Sequence, residues 1–155
     1  MTNQPKAYNE LVGVLLSEED RLKFEWAIGA MLSEGPNNVL IVHGDPMTGK
    51  STLLNIVRKI LLSDVRAVAA RTHFQHNGYE RVDRFHLPNP YVFAAELSEY
   101  DPSVEDGAIH ISTTGDCVSV NKHYVLMNQI DVEALDVAEH CINVYRNNNF
   151  QENNR

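Results

Sequence analysis

Cysteine is scarce in this chain. Only Cys117 and Cys141 occur, and their spacing fits no metal motif and builds no disulfide framework. Both are expected to be ordinary reduced thiols. Long apolar runs are lacking as well. No stretch reaches the eighteen or so apolar residues that a membrane span needs. The first ten residues, "MTNQPKAYNE", lack the basic and apolar regions of a signal peptide, so a cytoplasmic protein is expected. Positive charge is also short. Thirteen Lys and Arg against twenty-one Asp and Glu leave a formal net charge of -8. A dedicated duplex-binding protein is usually basic, because phosphate contacts dominate its affinity. Any contact with nucleic acid would therefore be local.

The 155 residues, 43% apolar and 22% charged, suit a single domain over 1–155 with a real core. Residues 1–10 and 147–155 read as loosely ordered tails. "SEEDRLKFEWAIGAMLSEG" (17–35) reads as a helix. Ser17 is a good N-cap, three acidic residues complement the helix start, and Phe24, Ile28, Met31 and Leu32 recur at helical spacing. "NVLIVHG" has almost no alternation and fits a strand buried on both faces. "VRAVAARTHF" (65–74) reads as a strand, and "QHNGYERVDRFHLPNP" as loop and short helix. "YVFAAELSEYD" (91–101) begins as a buried strand and ends acidic. "IHISTTGDCVSV" (109–120) alternates around Thr-Gly-Asp like a hairpin, and "HYVLMNQID" (123–131) reads as another apolar strand. "DVEALDVAEHCINVYR" (131–146) starts as a helix. The alternation of strands and helices predicts an α/β fold with a mainly parallel sheet flanked by helices.

One motif carries chemistry by itself. Gly44-Asp45-Pro46-Met47-Thr48-Gly49-Lys50-Ser51 matches G-x-x-x-x-G-K-[ST], the P-loop, between a buried strand and an amphipathic helix. The glycines permit the turn and aim amides inward at a helix start carrying about half a positive charge. Residues 44–52, through Thr52, are thus the expected nucleotide cradle. Lys50 would reach the β- and γ-phosphates and the Ser51 hydroxyl would coordinate Mg²⁺. Glu96 closes "YVFAAE" at the carboxyl end of a strand, where ligand chemistry sits in an open α/β sheet, so it is the expected acidic partner for Mg²⁺ and water. Glu99 and Asp101 lie farther along. Asn128, ending "YVLMN", is placed to orient water or touch the γ-phosphate. His73 and His76 have no third ligand at metal spacing. Phe24, Trp26, Phe74 and Phe93 read as core, and Arg58, Lys59, Arg66 and Arg71 as a solvated basic face.

In that order these elements resemble the helicase domain of phage and plasmid primase-helicases, superfamily III within the AAA+-like ring ATPases. "AIGAMLSEGPNNVLIVHGDPMTGKSTLLNIVRKIL" looks like their entry helix, strand, Walker A and following helix. "FAAELSE" looks like their Walker B, "TTGDCVSV" like the segment before motif C, and "YVLMNQID" like motif C, whose asparagine is sensor 1. The resemblance covers residues 10–146. It implies a P-loop NTPase of AAA+-like three-layer sandwich architecture that binds ATP and Mg²⁺. Lys50, Glu96 and Asn128 would be catalytic, and Ser51 and Glu96 would serve the metal. It implies a homo-oligomeric ring such as a hexamer, with single-stranded DNA gripped through Lys122 and His123, a replication partner protein, and no membrane. In a phage-encoded protein the compartment would be the host cytoplasm.

Two departures stand out. The segment from Gly115 to Tyr124 is shorter than the family's pore hairpin. Glu139 and His140 stand where the family carries an arginine pair, which leaves Arg146, Arg81 or Arg84 as substitutes for the finger. Such a finger is worth about 10³ to 10⁵ in rate. The expected activity is therefore a Mg²⁺-dependent ATPase working as a DNA helicase or translocase core in replication. The alternative is a nucleotide-gated assembly or regulatory module with little hydrolysis. A small nucleotide kinase is disfavoured, since only Arg146 and Arg155 follow residue 100 and no arginine-rich lid is evident.

Overall fold

The computed structural model describes residues 5–33, 39–45, 47–63, 68–76, 79–86, 90–96 and 108–148. The elements in order are α1 (Lys6–Leu15), α2 (Glu18–Leu32), β1 (Val39–His43), α3 (Lys50–Leu62), β2 (Val68–His76), β3 (Tyr79–His86), β4 (Pro90–Glu96), β5 (Ile109–Ser112) and α4 (Val120–Asn147). Side chains are described for all of these except β2, β4 and the ends of β3. Residues 149–155 of the expected tail lie outside the described residues.

The first correction is at the N-terminus. Residues 6–10 are not a loose tail but the opening turns of α1. Ala7, Tyr8, Leu11, Val12 and Leu15 share one face and are buried, which is the spacing of an amphipathic helix. The helix begins after Pro5, which cannot cap it. Glu133 of α4 does so instead, its two oxygens accepting from the Ala7 and Tyr8 amides at 3.0 and 2.9 Å. The α2 start is as expected: Ser17 Oγ accepts the Asp20 amide at 3.2 Å.

The sheet has the order β2-β3-β4-β1-β5. It is mixed rather than mainly parallel. β1 pairs in parallel with β4 and β5, while β2–β3 and β3–β4 are antiparallel. The reason is chain length. Two residues separate β2 from β3 and three separate β3 from β4, too few for the crossover that parallel neighbours require. The stretch expected as loop and short helix is therefore largely strand β3.

The pleat sorts side chains to two faces. Leu40, Val42, Phe85, Ile109 and Ile111 join the helices in the main core. Ile41 and Val82 form a small cluster on the opposite face with Val39 and Ala108. All four described helices contribute to the main core, so among the described residues the helical layer lies on one face of the sheet.

The third correction concerns residues 109–131. β5 is a short strand paired with β1, not half of a hairpin. "HYVLMNQID" is helix, not strand. Ser119 caps α4, its Oγ accepting the Lys122 amide at 3.3 Å. Leu126, Ile130, Val137, Cys141 and Val144 then form one buried stripe through the whole element. A short apolar run cannot be assigned by composition alone. The continuing period of three and four residues decides for helix.

Candidate functional site

β1 lies between β4 and β5 and pairs in parallel with both. Open α/β sheets bind ligands outside the carboxyl ends of their strands. The loop 44–49 leaves β1 at that end. Gly49, at φ 97°, is the residue before α3, and Met47 also has a positive φ of 63°. Left-handed residues of this kind are what an anion nest is built from. Pro46 lies outside the described residues. Lys50 is buried at the first position of α3, Ser51 and Thr52 are half-buried behind it, and Asp45 and Met47 are exposed.

The starts of the helices differ in a telling way. α1 is capped by Glu133, α2 by Ser17 and α4 by Ser119. α3 starts on Gly49, which has no side chain to cap with, and its first turn holds no acidic residue. A helix start built this way favours an external anion.

The loop is held from two sides. Thr113, just past β5, donates its amide to the His43 carbonyl at 2.9 Å, and its Oγ1 lies 2.7 Å from Thr48 Oγ1. Thr48 Oγ1 also donates to the Asp45 carbonyl at 2.6 Å, closing the loop on itself. A Cβ on Gly44 would stand 2.1 Å from Thr113 Oγ1, so only glycine fits there. Leu15, at the end of α1, packs where a Cβ of Gly49 would be, 2.7 Å away. Behind the loop, Arg81 of β3 donates to Asn55 Oδ1 at 2.7 Å and toward the Ser51 carbonyl at 3.4 Å. Its other nitrogens grip Asp83 at 3.0 and 2.9 Å, and both residues are buried. On the other face of the sheet, His43 Nε2 and His110 Nδ1 lie 2.7 Å apart, a hydrogen bond between two rings at the root of the loop.

Glu96 ends β4 one residue beyond Ala95, the register partner of Val42, so its backbone stands at the same end of the sheet as the loop. Its side chain lies outside the described residues, as do Glu99 and Asp101. Asn128 is not at a strand end. It is exposed in the first half of α4, so the sensor position expected from a strand is not formed. Lys122 and His123 are not on a pore hairpin but in the first turn of α4. Lys122 is ion-paired with Glu10, and His123 lines a groove of about 590 Å³ between α3 and α4 with Arg58 and Tyr124. Of the arginines, Arg81 is committed to Asp83 and Asn55 within its own chain, while Arg84 and Arg146 are exposed.

His140 belongs to a different cluster. Its Nε2 lies 3.0 Å from Glu25 Oε1, and Tyr8 donates its hydroxyl to Glu25 Oε2 at 2.7 Å, with Arg21 at 3.1 Å. Burial pushes the Glu25 carboxyl up. The hydrogen bonds from His140 and Tyr8 and the nearby positive charges outweigh that and hold it below its usual range. The bond to Glu25 raises His140, against the opposing effect of burial. Burial pushes the Tyr8 hydroxyl and the Cys141 thiol well up, and the Glu25 charge adds to both. This cluster ties α1, α2 and α4 together and leaves the loop untouched.

Thr113 and Asp83 were not legible as site residues, because their partners are distant in the chain; Arg81 was legible only as a possible finger, not as the brace behind the loop that it forms with Asp83 and Asn55. The Thr-Thr pair at 113–114 was visible only as part of an apparent hairpin and of the segment likened to the one before motif C. Compared with known proteins, the chain matches no family model, no curated protein and no solved structure. Among the described residues no helix is long and apolar enough to cross a membrane.

Proposed function

We propose that this chain is a P-loop nucleotide-binding protein that takes ATP with Mg²⁺ on the loop between β1 and α3 and hydrolyses it. The observation that carries this reading is the start of α3. It begins on a left-handed glycine with no capping side chain and no acidic residue, directly after the P-loop sequence, at the carboxyl end of a strand flanked by two parallel neighbours. In this reading Lys50 neutralises the β- and γ-phosphates and Ser51 holds Mg²⁺. Glu96 orients water or assists the metal, and Thr48 and Thr113 keep the loop in shape. Mg²⁺ would supply charge neutralisation between the phosphates. DNA helicase or translocase work in replication, by a ring of subunits, rests on the family resemblance.

A second reading is favoured by a specific observation. The segment expected to supply both the γ-phosphate sensor and the DNA-gripping hairpin is the helix α4. A nucleotide-gated assembly or regulatory module needs the cradle but neither of those parts.

The test is MgATP binding and turnover, with and without single-stranded DNA, beside Lys50→Ala. Binding that is lost in the variant, with turnover raised by DNA, supports the motor. Binding lost in the variant with negligible turnover supports the switch. Failure of the wild-type chain to bind any nucleoside triphosphate removes both.

A further inference from the structure

α4 buries one apolar face and exposes, opposite it, a mixed face on which Val125, Val132 and Leu135 stand among Asn121, Asn128 and Glu139. The stripe through Leu126, Ile130, Val137, Cys141 and Val144 is buried against the rest of the chain. Directly opposite run Asn121, Val125, Asn128, Val132, Leu135 and Glu139, all exposed. Their intervals are four, three, four, three and four residues, the spacing of a two-helix seam. Val132 is 87% exposed, Leu135 68% and Val125 54%. Apart from Met47 and Leu62, the exposed large apolar side chains among the described residues all lie on this helix. Clustered exposure of that kind marks an interaction surface rather than chance.

We propose that this face pairs with α4 of a second copy of the chain, antiparallel about a two-fold axis near residue 130. Charge decides both the occupant and the direction. In the antiparallel alignment Val125 meets Leu135 of the partner subunit and Val132 meets Asn128 of the partner subunit. Asn121 meets Glu139 of the partner subunit, an amide facing a carboxylate. Beside the seam, Lys122 comes opposite Asp136 of the partner subunit. The helix dipoles also oppose one another, which favours this direction. On the other flank Asp131 comes opposite its own copy, each already held by Lys59 of its own chain at 2.6 Å; a parallel pair would set Glu139 against itself and Asp131 beside Asp136 twice over. Lys122 is about half exposed in its ion pair with Glu10, so exchanging or sharing that partner costs little. The seam from 121 to 139 spans about 27 Å of helix. The helix is already ordered by its buried face, so pairing does not have to fold it first. Asn128 then has a role that fits its exposure: near the middle of the seam, flanked by Val125 and Val132, a polar residue sets register. The pairing is isologous, as a two-fold dimer requires.

Sedimentation velocity of the full chain is the first measurement. A dimer is expected, with Val132→Asp weakening association by at least about tenfold, because the seam then buries a charge. Val132 touches little within the monomer, so the variant keeps its helical circular dichroism, its melting temperature and its MgATP binding. Lys122→Glu weakens the dimer, and adding Asp136→Lys restores it. In a Cys117→Ser background, Gln129→Cys forms an oxidised dimer while Asn121→Cys does not. A chain that stays monomeric at about 100 µM overturns the proposal and leaves the face to a different protein. A dimer indifferent to Val132→Asp overturns the seam, and cross-linking through Asn121 instead of Gln129 overturns the direction. MgATP binding is read separately, so failure here leaves the nucleotide reading standing.

Discussion

At the scale of single residues, the loop depends on two hydroxyls and a missing side chain. Thr113 Oγ1 meets Thr48 Oγ1 at 2.7 Å in the space that a Cβ on Gly44 would occupy. Gly44→Ala is expected to destabilise the fold by about 1–3 kcal/mol through clash and backbone strain, read as a lower urea midpoint. Thr113→Val removes one hydrogen bond without changing shape. It is expected to weaken MgATP binding about two- to tenfold by titration calorimetry, with a smaller change in unfolding midpoint. The P-loop was legible in the sequence because its chemistry is local: eight consecutive residues specify the turn, the helix start and the cation. Thr113 was not legible, because its meeting with Thr48 follows from β5 settling beside β1, which no local pattern announces.

At the scale of elements, β3 and α4 show how a reading succeeds or fails. The polar stretch after residue 75 contains Asn77-Gly78, the strongest short-range sign of a hairpin. Its flanks are charged, so it did not look like strand. The charges are tolerated because Arg81 and Asp83 satisfy one another beneath α3. A buried pair of this kind is costly to break singly and cheap to replace whole. Asp83→Leu is therefore expected to cost about 3–5 kcal/mol in equilibrium unfolding, and Arg81→Met with Asp83→Leu to recover most of it. An unchanged midpoint for the single variant would contradict this account. In α4 the error was one of window. Cut at Asp131, the segment looks like a strand followed by a helix. Read through to Asn147, one helical period runs without a break.

At the scale of the whole molecule, α1, α2 and α4 are locked by Glu25 with Tyr8, Arg21 and His140, and by Glu133 capping α1. This lock makes stability depend on pH in a definite way. Glu25 is held below its ordinary value, so its contribution is full above about 4.3, the unfolded carboxylate value, and is lost as pH falls through the lower folded value. His140 is raised, so its contribution is full below about 6.5 and is lost as pH rises through the higher folded value. Stability from this pair is expected to be greatest between those limits. His140→Gln should flatten the alkaline side of a melting-temperature profile, and Glu25→Gln both sides; an unaltered profile would dismiss the pair as its source. The sequence alone determined the P-loop motif at a strand-to-helix turn, the α2 start, strands β1 and β4, and helix α3, because each is set by neighbours a few residues apart. Tertiary structure decided the mixed sheet, the capping of α1 by Glu133, the bracing of the loop by Thr113 and Arg81, and the placing of Asn128 on an exposed helix face. Those outcomes depend on which distant segments compete for the same core. That competition is settled by packing and by satisfying buried polar groups, not by local preference.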